Sequence, residues 1–201
     1  MDTLNCPHCG AELPLSFRFA KLVVCPHCGS TIFLEDDAAR LAGDQSALTD
    51  LPSLVRLKVA FRYRNAAYLP VGHIRYRYAF GYWDEWWLLD DGGQGVWLSV
   101  DEGDYAFEHP LRLDAPPDFH ALKINDELEL DGREWRVTEL DKARCEGFEG
   151  ELPEIIRVGE TFRYAHLSGI DGELMTLEYV GNGVQAYAGK WVDPFDVRIE
   201  A

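Results

Sequence analysis

The chain of 201 residues is 47% hydrophobic and carries a formal charge of −16, with 35 acidic against 19 basic side chains. That apolar content supports a buried core and excludes a disordered chain. The acidity repels phosphate backbones and anionic headgroups, so neither DNA, RNA nor a membrane surface is an expected partner. No run reaches the roughly 20 apolar residues of a spanning helix, so no membrane insertion is expected. The opening "MDTLNCPHCG" lacks the features of a secretion signal. The expected location is cytoplasmic.

The first predicted element is a metal site. Cys6, Cys9, Cys25 and Cys28 follow C-x2-C-x15-C-x2-C, the spacing of a four-thiolate zinc centre. Each half is the pentapeptide "CPHCG": proline fixes φ early in the turn, two cysteines reach one ion, and glycine accepts the positive φ that closes the knuckle. With "SFRFAKLVV" and "STIFL" as short strands, residues 1–35 read as a zinc ribbon. So short a unit cannot bury enough apolar surface to fold alone, whereas structural zinc contributes about 10–16 kcal/mol. Four thiolates close the coordination shell, which makes the zinc structural and leaves His8 and His27 supporting or exposed roles. A disulfide pairing would need an oxidising compartment. Only Arg18 and Lys21 could touch a phosphate, so the ribbon reads as structural support or a protein-docking unit.

Residues 36–53, from "EDDAARLAGDQSALTDLPS", read as an acidic polar linker with at most a short helix around 38–41. Residues 54–201 read as an all-β domain of antiparallel hairpins, either a small barrel or tandem barrel-like sheets. "LKVAFRYRNAAYLPV" and "LKINDELELDGREWRV" both run strand, turn, strand, with turns at Arg64-Asn65 and Asp131-Gly132. "IRVGETFRYAHLSGIDGELMTLEYV" begins a further pair.

Residues 82–105, "YWDEWWLLDDGGQGVWLSVDEGDY", hold four of the six tryptophans. A two-residue primed turn at Gly92-Gly93 would set Leu89 against Val96, Trp87 against Leu98 and Trp86 against Ser99. One face then collects Trp83, Trp87, Leu89, Val96, Leu98 and Val100 around Glu85, and reads as core. Glu85 would pair with Arg75 or Arg77, giving Glu85, Trp83 and Trp87 structural roles. The other face carries Tyr82, Asp84, Trp86, Trp97 and Asp101. Tryptophan beside acid suits a cationic or peptide ligand, so these five are the candidate binding residues, with coverage by another strand as the alternative.

No catalytic residue emerges. Asp84 and Glu85 are strand neighbours pointing to opposite faces. "DDGGQG" lacks the Lys-Ser/Thr of a phosphate loop, and His73, His109, His120 and His166 show no ligand spacing. Cys145 has no histidine near it in sequence.

"YLPVGHIRY", "WDEWWLLDDGGQGVWLS", "EGELPEIIRVGE" and "LEYVGNGVQAYAGKWVDPFDV" resemble, in order and spacing, the bacterial family called domain of unknown function 4178. The resemblance implies a β-rich protein, sometimes preceded by paired CxxC knuckles. It also implies a genomic setting near phage-shock-type membrane-stress proteins, small membrane proteins and aminopropyltransferase-like proteins. The family has no established catalytic residues to carry over. This chain departs from it at Glu154-Ile155-Ile156, where members often place a tryptophan. The expected function is a non-enzymatic zinc-ribbon adaptor for a protein partner in a membrane-stress assembly. The alternative is a sensor or enzyme for a cationic, polyamine-like ligand held by Asp84, Asp101 and Asp104. Nucleic-acid binding through the ribbon conflicts with the charge.

Overall fold

The computed structural model describes residues 4–35, 38–46, 48–49 and 51–199. It is all-β, and its helical residues lie in three-residue 3-10 turns. The ribbon contributes β1 (Leu22–Val24) and β2 (Ser30–Glu35), and the stretch read as a linker adds β3 (Ala38–Gln45) to it. Next come β4 (Phe61–Tyr63), β5 (Ala66–Arg77), β6 (Tyr82–Asp90), β7 (Gly95–Asp101) and β8 (Asp104–Leu111). The chain continues through β9 (Glu127–Leu130), β10 (Arg133–Leu152), β11 (Thr161–Ser168), β12 (Glu173–Val180), β13 (Gly183–Val192) and β14 (Val197–Ile199).

The antiparallel pairings close on themselves. In the order β5, β6, β7, β8, β13, β12, β11, β10 and back to β5, eight strands form a ring. The 20-residue β10 makes the closure possible: its Arg144 pairs with Thr161 of β11 on one edge and Arg77 of β5 on the other. A register shift between Cys145 and Gly147 bends the strand there. One closed barrel therefore stands, the first of the two arrangements that the hairpin pattern left open.

The predicted turns at Arg64-Asn65 and Asp131-Gly132 are present, linking Tyr63↔Ala66 and Leu130↔Arg133. Asp131 (φ 51°) and Gly132 (φ 69°) adopt the left-handed pair that two-residue hairpins favour. The Gly92-Gly93 turn differs. Oδ1 of Asp90 accepts from the N–H groups of Gly92 and Gln94, each at 2.8 Å, and the Asp90 N–H donates to the Gln94 carbonyl. This longer loop sets Trp87 opposite Trp97 and Leu88 opposite Val96, one residue away from the expected register. A one-residue slip turns a whole strand over. Trp97, Ser99 and Asp101 consequently share the inner face with Trp83, Glu85 and Trp87, whereas Val96, Leu98 and Val100 lie outside with Trp86 and Leu88.

The barrel is packed inside and covered outside. Ile74, Tyr76, Trp83, Trp97, Phe148, Phe162 and Tyr164 fill the interior. Outside, Trp86, Leu88, Val96, Leu98 and Tyr105 are covered by Val55, Phe61 and, in part, Val197. On the far wall Leu122 and Leu128 cover Val137, Leu167 and Leu177.

Residues 38–41, read as linker with at most a short helix, are instead part of β3, which pairs along β2 from Glu35↔Ala38 to Ser30↔Gln45. Pairing supplies backbone partners to an edge of β2 that would otherwise lack them. The ribbon is also joined to the barrel, since Leu22↔Leu152 and Val23↔Glu151 link β1 to the end of β10. Buried Leu22 and Phe33 belong to the barrel's interior cluster. Each stabilises the join by about 1.5–3 kcal/mol.

Candidate functional site

The paired pentapeptides fold as near copies. Gly10 N–H donates to the Cys6 carbonyl at 2.8 Å and Gly29 N–H to the Cys25 carbonyl at 2.9 Å, with φ of 76° and 71° at the two glycines. The four sulfurs lie within 4.8 Å of one another. Cys6 Sγ is 3.7 Å from Cys28 Sγ, and Cys9 Sγ is 3.8 Å from Cys25 Sγ. A tetrahedron with metal–sulfur bonds of about 2.3 Å has edges of about 3.8 Å, so these residues can hold one metal ion. A disulfide needs its sulfurs about 2.05 Å apart, which neither pair approaches. Ser30 Oγ bridges the site to His8 Nδ1 at 2.9 Å and to Cys28 Sγ at 3.3 Å, giving His8 a supporting position.

The loop between the knuckles covers one end of the barrel. Phe17 lies 6.1 Å from the Trp87 ring. Ser16 donates to the buried Glu151 carboxylate from its N–H at 2.5 Å and its hydroxyl at 2.8 Å, and Lys58 Nζ reaches the same group at 2.6 Å. Holding the knuckles together thus also seats this loop.

The five candidate binding residues are not brought to one face. Tyr82, Asp84 and Trp86 lie on the outer surface of β6, while Trp97 and Asp101 point inward. Trp86 is 3% exposed and Trp97 5% exposed. The physical cause is the loop set by Asp90. Asp84 instead anchors a buried network: its Oδ1 accepts from Arg75 Nε at 2.7 Å and lies 2.8 Å from His73 Nε2. His73 Nδ1 meets Glu149 at 3.0 Å, and its ring stacks on Trp86. Burial raises the Asp84 carboxyl, but His73 and Arg75 outweigh it and hold the group below its ordinary range.

Glu85 also differs from expectation. Arg75 pairs with Asp84 and Arg77 with Glu146, leaving Glu85 inside the barrel, where it accepts from Trp83 Nε1 at 2.9 Å. Trp83 is buried among Tyr76, Tyr78 and Tyr164, and Trp87 packs against Trp97. Three further glutamates share the interior with Glu85: Glu108 on β8, Glu178 on β12 and Glu154 just beyond β10. Sequence reasoning missed them because they are far apart in the chain. Nothing in the local sequence marks them, since β8 and β12 carry other polar residues and Glu154 lies outside any strand.

Among the described residues no helix is long and apolar enough to cross a membrane. No curated protein and no solved structure matches the chain. The family model described as "Domain of unknown function (DUF4178)" matches residues 59–194, which span the barrel from β4 to the end of β13. The chain is therefore a member of the DUF4178 family, with a cluster of four cysteines placed to hold a metal ion preceding the family domain.

Proposed function

We propose that the protein is a non-enzymatic, cytoplasmic adaptor in which zinc holds a docking ribbon against the barrel and a protein partner binds that ribbon. The observation carrying this reading is the edge of β3. Among the described residues β3 pairs only with β2, so its outer edge has backbone groups available to a partner strand. The ribbon also exposes apolar side chains: Leu41 on β3 is exposed, and Phe19, in the loop before β1, is 81% exposed. Four thiolates filling a tetrahedral shell leave zinc no open position for chemistry, and reduced thiols fit a reducing compartment. The membrane-stress setting implied by the family resemblance is consistent with an adaptor.

The test is affinity capture from the native host with metal-loaded wild type, Leu41→Glu and Phe19→Glu. A partner retained by wild type and depleted about tenfold or more by both folded variants supports the reading. Equal capture by all three, or release only when the barrel is unfolded, overturns it.

A further inference from the structure

On the outer wall of the barrel, residues 51–57 and strands β5, β6 and β10 border a hollow of about 640 Å³. His73 and Arg75 of β5, Trp86 of β6 and Glu149 of β10 line it, and Arg56 stands among the residues added by the covering stretch. The volume falls within the roughly 300–1,000 Å³ of small-molecule sites. Its charge departs from that of the chain. In a protein with a formal charge of −16, this lining sets two arginines and a histidine against one glutamate, whereas four glutamates line the small hollow inside the barrel.

Most of these charges are already committed. Arg75 donates to Asp84 from Nε at 2.7 Å and from Nη2 at 3.1 Å, and its Nη1 donates to the Thr49 carbonyl at 2.9 Å. His73 is held through both nitrogens, by Asp84 and by Oε1 of Glu149. Two charged groups are left over. Oε2 of Glu149 has no partner among the described residues, although His73 fixes the carboxylate in place through the other oxygen. Arg56 is exposed and pairs with no acid among the described residues, Glu149 included. Trp86 adds a buried Nε1 donor without a partner.

The leftover groups specify the ligand. A guanidinium presents a fork of donors that matches a carboxylate, and a carboxylate oxygen accepts from an ammonium. The acidic surface repels a lone anion, and a lone cation leaves Arg56 unmatched. A molecule carrying both charges has no net charge for that field to oppose. Leu51, Val55 and Leu57 give the lining an apolar stretch for a hydrocarbon side chain. At about 30 Å³ for each water-sized group the hollow has room for about twenty such groups, enough for an amino acid or a dipeptide.

We propose that this hollow binds a small zwitterion with an apolar side chain, an α-amino acid or a dipeptide, its carboxylate held by Arg56 and its ammonium by Oε2 of Glu149. His73 is a positioning residue here, since it holds Glu149 and does not itself take the ligand. The site is separate from the ribbon edge and does not depend on the adaptor reading.

The experiment uses the full metal-loaded chain at about pH 7, where the ammonium and carboxylate of the probes are both charged. Leucine and leucyl-leucine are the probes, followed by thermal shift and calorimetry. Isocaproate carries the carboxylate alone, isoamylamine the ammonium alone, and N-acetyl-leucine amide neither. Saturable stabilisation is expected from leucine or the dipeptide, with each single-charge analogue binding about tenfold or more weaker and the blocked one not at all. Binding of leucine assigns an amino acid, and binding of the dipeptide alone assigns a peptide. Arg56→Gln should weaken the zwitterion about tenfold, leave isoamylamine unchanged and melt with wild type, because the exposed guanidinium pairs with no acid. Glu149→Gln, which also loses its ion pair with His73, should melt lower and erase the advantage of the zwitterion over isocaproate. No saturable response to either probe at millimolar concentration overturns the proposal. So does equal binding of the blocked analogue, or an Arg56→Gln response equal to that of wild type.

Discussion

The imidazole of His73 lies flat against the indole of Trp86, ring centroids 3.8 Å apart and planes 1° from parallel. The stack holds the imidazole edge-on to Asp84 and Glu149, so one histidine is bonded through both nitrogens to carboxylates on two different strands. Trp86 therefore positions a buried ionic junction between β5, β6 and β10.

That junction makes stability depend on pH. Burial alone would lower the His73 value, but Asp84 and Glu149 together raise it above 6.5. A raised histidine contributes fully below about 6.5, and its contribution disappears as pH rises through the folded value. The Asp84 carboxylate is lowered below 3.8, so its contribution is present above that pH and fades as pH falls through the folded value. Urea unfolding should show a larger gap between wild type and His73→Phe at about pH 6 than at about pH 9. A gap that widens with pH would refute the assignment. Asp84→Asn should cost about 3–5 kcal/mol, because Arg75 and His73 stay buried without their counter-charge.

Metal removal should open the ribbon before the barrel. The knuckles are held by one small buried cluster of Cys6, Leu13, Val23, Cys25 and Ile32 and by the ion their thiolates can take, while the barrel is closed by eight strands. Chelation, or Cys25→Ser, should abolish bound metal in elemental analysis and increase binding of a hydrophobic dye. The dye signal arises from Leu22 and Phe33 leaving the interior cluster. The far-ultraviolet β signal should largely persist. Retention of stoichiometric metal by the variant would refute the four-cysteine site.

What was legible in the sequence was what sequence neighbours decide. The knuckles repeat their own hydrogen bonds within five residues, and Asp131-Gly132 carries its turn type in its composition. The Asp90 loop was misread because a side chain, not the glycines, selects its length, and the resulting slip moved Trp97 across the sheet. Closure of the ring rests on β5 meeting β10, about 70 residues apart in the chain, which no local periodicity reveals. The same distance separates Glu85 from Glu154, so the acidic interior becomes visible only when the ring closes.

Seating of the ribbon should depend on Glu151. This buried carboxylate takes two hydrogen bonds from Ser16 and one from Lys58. The Lys58 ammonium is half exposed, so solvent screens its share and the Ser16 bonds carry more of the effect. Glu151→Gln should destabilise by about 1.5–3 kcal/mol and speed amide exchange at Ser16, whereas Lys58→Ala should cost less. Equal costs for both would show that the ion pair, not the serine clamp, seats the loop.

Gly189 tests the closure of the barrel itself. It sits on β13 opposite Glu108 of β8, the seam joining strands about 80 residues apart in sequence. A Cβ built there would lie 1.8 Å from the Phe107 carbonyl oxygen and 2.9 Å from the Glu108 Cα. Both obstacles are backbone, so no rotamer change relieves them and the two strands must separate. Gly189→Ala should therefore destabilise by about 1–3 kcal/mol or more, the range seen when a packed site is overfilled. Gly183, at the start of the same strand, would place its Cβ no closer than 3.8 Å to any neighbour, so Gly183→Ala should be nearly neutral. Chemical unfolding of the two variants side by side separates the seam from a general intolerance of side chains on β13. A neutral Gly189→Ala would mean that β8 and β13 approach less closely than the ring requires.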